Sequence, residues 1–141
     1  MTVLAARYGD GPIPVRDIAA AQGLSQSYLE QLLGPLRRAG LVRSVRGPEG
    51  GYYLASQPSE VSVGDVLRVL EGPLSPVDCV DEDSDPGLCS REDGCPARKV
   101  WVMVRDSVNR VVDSVSLQDL LSGEDLDGRR SVDGAASGSV L

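Results

Sequence analysis

Histidine and phenylalanine are absent from the 141 residues, and tryptophan occurs once. Without histidine the chain has no Ser-His-Asp or Cys-His catalytic set and no histidine-bearing zinc site. No apolar run reaches the length of a membrane span, and no basic-then-apolar leader opens the chain, so a soluble cytoplasmic protein is expected, with no membrane partner. Cysteine is scarce and odd in number, at three, which argues against a disulfide framework. No nucleophile–base pair is visible, so an enzyme is not expected. Hydrophobic residues at 41% and charged residues at 25% are ordinary globular usage for one small domain with additions.

Net charge is −7, which on its own disfavours a polyanion as partner. The charge is unevenly placed. Residues 1–57 hold six arginines against four carboxylates, a net of +2, whereas residues 58–141 carry −9. Residues 78–95 alone hold seven acidic side chains against Arg91. The front third can face a polyanion and the middle segment cannot, although an acidic run is usually no more than a solvated loop.

Hydrophobic spacing predicts short helices over 2–8 and 15–22, the second with Pro14 at its start. Gly23-Leu24-Ser25 reads as a turn, with Ser25 as N-cap of a third helix. There Leu29, Leu32, Leu33 and Leu36 recur at amphipathic spacing, Pro35 predicts a bend or a lost hydrogen bond, and Gly40 is a C-cap candidate. Residues 41–46 and 52–54 read as strands around the turn Gly47-Pro48-Glu49-Gly50-Gly51. A fourth helix follows over 62–71, then a long acidic loop over 72–95, a long helix over 96–114, and a short one over 117–121 capped by Ser116. The last segment, 122–141, is rich in Gly and Ser and reads as a disordered tail. The fold class is therefore mainly α with a small β-hairpin, a winged helix-turn-helix plus a long dimerisation helix. Its expected divisions are a DNA-binding domain (1–72), a sensor loop (73–95), the dimerisation and final helices (96–121) and the tail.

Helix, Gly-containing turn, helix and Gly-tipped hairpin together make the winged pattern. Its second helix would enter a major groove with Ser25, Gln26, Ser27, Tyr28, Glu30 and Gln31 at its leading end. Gln31 suits adenine, Glu30 suits cytosine, and Ser27 suits either. Arg46 and the Gly47 backbone at the hairpin tip suit a minor groove or phosphates, as Arg37, Arg38 and Arg43 suit phosphates. The alternative is a three-helix core with no DNA role and arginines that merely solvate the surface.

Cys79, Cys89 and Cys95 all lie in the acidic loop, where a cysteine has little packing role. Their thiolates suit zinc, copper(I) or an iron–sulfur cluster, and the wide spacing fits a cluster better than one ion. Three free surface thiols, or a thiol–disulfide sensor using two of them, are the other readings. Val100, Val104, Val108, Val111 and Val115 form one stripe on the long helix, suited to pairing with a second copy. Packing within one chain is the alternative, with Trp101 folding back.

These motifs jointly resemble the Rrf-type family of winged-helix transcriptional regulators, its cysteine-bearing iron–sulfur members in particular. The resemblance runs over residues 1–121. It rests on Gly23-Leu24-Ser25, Ser27-Tyr28-Leu29-Glu30-Gln31-Leu32, Leu36-Arg37-Arg38-Ala39-Gly40-Leu41-Val42, the hairpin from Ser44 to Tyr52, Val63-Gly64-Asp65-Val66, and the cysteines before Trp101. It implies a homodimer, a double-stranded DNA operator, and a two-iron or four-iron cluster on Cys79, Cys89 and Cys95. It also implies operator contacts from Ser25, Ser27, Tyr28, Glu30, Gln31 and Arg46. The implied function is a regulator, expected to repress, that senses redox, iron–sulfur or nitric-oxide status. The alternative is cluster-free control of sulfur metabolism by thiols or by a bound partner enzyme. The chain departs from the family in three ways. The family's basic arm before the first helix is missing, the first cysteine gap is longer, and Arg98 replaces the histidine ligand that follows the last cysteine.

Overall fold

The computed structural model describes residues 1–85, 87–91 and 94–123. Six helices and one hairpin follow in order: α1 (Thr2–Ala6), α2 (Val15–Gln22), α3 (Gln26–Arg38), β1 (Val42–Val45), β2 (Gly51–Leu54), α4 (Val63–Glu71), α5 (Arg98–Asp113) and α6 (Leu117–Ser122). Single 3-10 turns stand at Pro58–Glu60 and Asp78–Val80.

Local chemistry sets these limits. Gly23 ends α2 in the left-handed conformation, φ +64°, and donates its N–H to the last turn at Ala19 and Ala20. Two residues later the Tyr28 N–H donates to Ser25 Oγ at 3.2 Å, starting α3. The α3 helix runs through Pro35. Proline has no N–H, so the Gln31 carbonyl lacks its usual partner one turn on. Gly40 closes α3 as expected: it follows the C-cap Ala39 at φ +79°, and the Gly40 and Leu41 N–H groups donate back to Arg37 O and Leu36 O at 3.1 and 3.0 Å. At α4 and α6 the serines Ser62 and Ser116 form reciprocal capping boxes with Asp65 and Asp119.

The core is one cluster. Ile18 and Ala19 of α2, Leu29, Leu33 and Leu36 of α3, Val42, Leu54 and Val61 are all buried in it. Leu4 and Ala5 of α1 and Leu117 of α6 close it from the other side. The hairpin is antiparallel, pairing Val42 with Leu54 and Val45 with Gly51. A third segment joins it, because Ile13 and Tyr52 exchange both backbone hydrogen bonds at 2.9 Å. Val63 N–H to Val115 O and Leu117 N–H to Val61 O tie the two ends of the second half together.

Several boundaries differ from the sequence expectation: α1 ends at Ala6 rather than at residue 8, and β1 is shorter by one residue at each end. The α5 helix begins at Arg98, two residues after Pro96, because Pro96 and Ala97 form a turn that leads into it. The acidic segment is not loop throughout: its 3-10 turn buries Val80 to 1% exposure. Ser122 ends α6 and Gly123 caps it, while the rest of the expected tail, 124–141, lies outside the described residues. Among the described residues no helix is long and apolar enough to cross a membrane.

Candidate nucleic-acid interface

Because Leu29, Leu33 and Leu36 turn inward, the opposite side of α3 faces solvent. Ser25, Gln26, Ser27, Tyr28, Glu30 and Gln31 are all exposed, Tyr28 by half. A tyrosine this exposed at a helix start has no packing role to explain it.

The hairpin stands beside that face. Arg37 Nη1 in the last turn of α3 donates to Ser44 Oγ on β1 at 3.3 Å, linking helix and wing. Arg46 and Gly47 lie past the end of β1, where the Gly50 N–H closes the turn on Gly47 O at 3.0 Å. Between wing and helix opens a cleft of about 470 Å³, and Gln26, Glu30, Arg37, Arg46 and Gly47 line it. Those five predicted residues are brought to one place. Ser25, Ser27, Tyr28, Gln31, Arg38 and Arg43 are exposed but do not line the cleft.

Arg16 also lines it, and the sequence reading missed it. The available signal was a basic residue in the first turn of α2, the helix that crosses the backbone in this motif. In the structure Arg16 Nε pairs loosely with Asp17 at 3.3 Å, both well exposed.

The cysteine segment presents a different picture. Cys79, Cys89 and Cys95 are free and half-buried. Among the described residues no group of three or more Cys, Asp and Glu stands close enough to hold a metal ion. Three thiols suit an iron–sulfur cluster chemically, but Arg98 has no lone pair to serve as a fourth ligand. Among the described residues the three thiols are therefore not gathered into a metal site.

Two arginines outside the predicted set organise this end of the molecule. Arg105 Nη1 donates to Val80 O at 2.6 Å, and Arg68 Nη2 of α4 donates to Asn109 Oδ1 at 2.7 Å and Asp113 Oδ2 at 2.8 Å on α5. The Asp113 hydrogen bond raises the Arg68 pKa above its ordinary value. The valine stripe of α5 faces away: no residue of α5 is buried, and Val100, Trp101, Met103, Val104, Val108 and Val111 are exposed. Trp101, at 39% exposure, does not fold back into the core.

The family model described as "Rrf2: Iron-dependent Transcriptional regulator" matches residues 1–123. The HTH-type transcriptional regulator CymR of Bacillus subtilis (strain 168) is 46% identical over 125 residues, covering 89% of this chain and 83% of that protein. Its solved structure, titled as that of the global cysteine regulator, superposes with a TM-score of 0.68 at 47% identity over 88% of both chains. IscR of T. potens also superposes with a TM-score of 0.68, at 39% identity, covering 94% of this chain and 84% of that one.

Proposed function

The chain belongs to the Rrf2 family of transcriptional regulators, and from that premise we propose a homodimeric DNA-binding repressor whose hold on its operator answers to the cysteine loop. The observation that carries the DNA half is the cleft. It joins the exposed start of α3 to a basic, glycine-tipped wing, a combination with no packing function in the monomer.

In this reading α3 lies in the major groove. Gln31, Glu30 and Ser27 read base edges while Gln26 and Tyr28 flank them. Arg46 and the Gly47 backbone reach the neighbouring minor groove or phosphates. Arg16, Arg37, Arg38 and Arg43 neutralise the backbone on either side. Pairing of two copies through the α5 stripe presents two such units to half-sites about one helical turn apart.

Each chemistry of the loop has one observation in its favour. An iron–sulfur cluster on Cys79, Cys89 and Cys95 is favoured by the family's iron-dependent description, and such a cluster would supply redox or iron sensing. Cluster-free control, by the thiols or by a bound partner enzyme, is favoured by the similarity to CymR, the global cysteine regulator of B. subtilis.

The DNA reading is tested by selecting duplexes from a randomised double-stranded library with the full chain. On the selected duplex Gln31→Ala should cost about 1–3 kcal/mol and relax sequence preference. Arg46→Ala should weaken all sequences alike and reduce the salt slope by about one. Unchanged binding in both variants would remove the assignment. Anaerobic purification followed by iron analysis and visible spectra separates the two loop chemistries. Protein that stays colourless and iron-free after reconstitution rejects the cluster.

A further inference from the structure

Two faces of α5 do different jobs. Val100, Val104, Val108 and Val111 are exposed, while Arg105, Asn109 and Asp113, spaced by four, turn towards the rest of their own chain. The hold on the acidic loop is local. Val80 is buried to 1% exposure, and its carbonyl accepts from Arg105 Nη1 at 2.6 Å. The Arg105 side chain is only 17% exposed, and Nε and Nη2 both donate to Asp106 Oδ1, at 2.9 and 2.7 Å. The neighbouring carboxylate thus fixes the guanidinium in the orientation that reaches Val80. Glu82 on the loop adds a weaker contact at 3.9 Å.

One turn further, Asn109 Nδ2 donates to the Arg105 carbonyl at 3.0 Å and Asn109 Oδ1 accepts from Arg68 of α4. Arg68 also pairs with Asp113 at 2.8 Å, and α4 packs against α3. A continuous set of contacts therefore runs from Val80 through α5 and α4 to the recognition helix. Cys79 is the residue bonded to Val80, in the same 3-10 turn.

We propose that Arg105 is the positioning residue through which the backbone at Cys79 seats α5 against α4. A change at Cys79 that lifts Val80 breaks the Arg105 hydrogen bond and frees α5 to shift. Loss of Arg105 conversely frees the turn that holds Cys79. This rests on the loop being the sensor, as proposed above, but its test reads the free protein and needs no DNA. Failure to bind DNA would therefore not be mistaken for failure of the latch.

The test uses the metal-free, reduced full chain and N-ethylmaleimide, with each cysteine followed by peptide mass spectrometry. Arg105→Gln should raise the modification rate of Cys79 about tenfold, the scale of one lost charge-assisted hydrogen bond, and leave Cys89 unchanged. Arg105→Lys, which keeps one donor for Val80 O, should restore most of the protection. Modification of Cys79 should in turn speed amide exchange over Arg98–Asp113 in the parent chain and add nothing in Arg105→Gln, since coupling is reciprocal. Exchange over Gln26–Arg38 should stay at parent values in every form. Equal reactivity of Cys79 in parent and Arg105→Gln would overturn the proposal. So would a rise at Cys89 of the same size, or faster exchange throughout α3, because either reports general unfolding.

Discussion

Gly51 sits where three backbone segments meet. It opens β2, pairs with Val45, and neighbours Tyr52, whose two bonds to Ile13 fix the wing to the segment before α2. A side chain there would run into the Ile13 carbonyl and the Pro14 nitrogen, both backbone atoms that cannot swing aside. Gly51→Ala should therefore cost about 1–3 kcal/mol, the scale of overpacking a well-filled site, with urea denaturation as the measurement. A loss below about 0.5 kcal/mol, ordinary for a surface substitution, would show that the hairpin can slide away from Ile13. The same glycine lets the hairpin lie close against the segment before α2. In sequence Gly51 was readable only as part of a glycine-rich turn, since its contact with Ile13 joins residues 38 positions apart.

At the scale of elements, the parts built by local rules were legible. Ser25 with the leucine period gave α3 and its cap, and Ser116 gave α6. The helix-turn-helix, the hairpin and the exposed leading edge of α3 followed from those rules, so most of the candidate DNA face could be named by residue. What stayed hidden depends on distant partners. Val80 is a single apolar residue in an acidic run, with no period to betray it, and its carbonyl is held by Arg105, 25 positions away. Arg105 itself reads as one more surface charge on a valine-striped helix. Arg16 was passed over because only the folded hairpin brings it to the cleft. The valine stripe was legible for the opposite reason: it packs on no distant part of the chain, so sequence period alone reports it. Val104 and Val108 are 38% and 42% exposed, and aspartate at both positions should leave the monomer fold intact. In a pair of helices packed along this stripe the same carboxylates would be desolvated and would repel one another. Val104→Asp with Val108→Asp should convert a dimer into a folded monomer in sedimentation, with helicity preserved. A parent that sediments as a monomer, or a variant that remains dimeric, would remove the stripe from the interface.

For the molecule as a whole, the relevant quantity is where the charge sits. The net −7 combines a front third at +2, which holds the α3 and wing face, with an acidic middle whose charge is concentrated near the cysteines. Unlike charges that share a small domain interact over distances set by salt, about 30 Å at 0.01 M and about 8 Å at 0.15 M. At low salt the loop should thus repel phosphates approaching the DNA face, and at physiological salt only the near part of it should. Asp83 and Asp85 are exposed on that loop and stand clear of the Arg105 hydrogen bonds. Asp83→Asn with Asp85→Asn should leave the fold unchanged and raise affinity for random duplex DNA about two- to fivefold near 0.01 M salt, the effect of two unit charges at tens of ångströms. The gain should shrink towards nothing near 0.3 M salt, and preference for the selected operator over random DNA should fall at low salt. No gain at low salt would show that the loop is too distant to act on the DNA face. A gain that persists at high salt would mean that the two aspartates contact DNA or the wing directly, and the acidic segment would then belong to the interface rather than stand guard beside it.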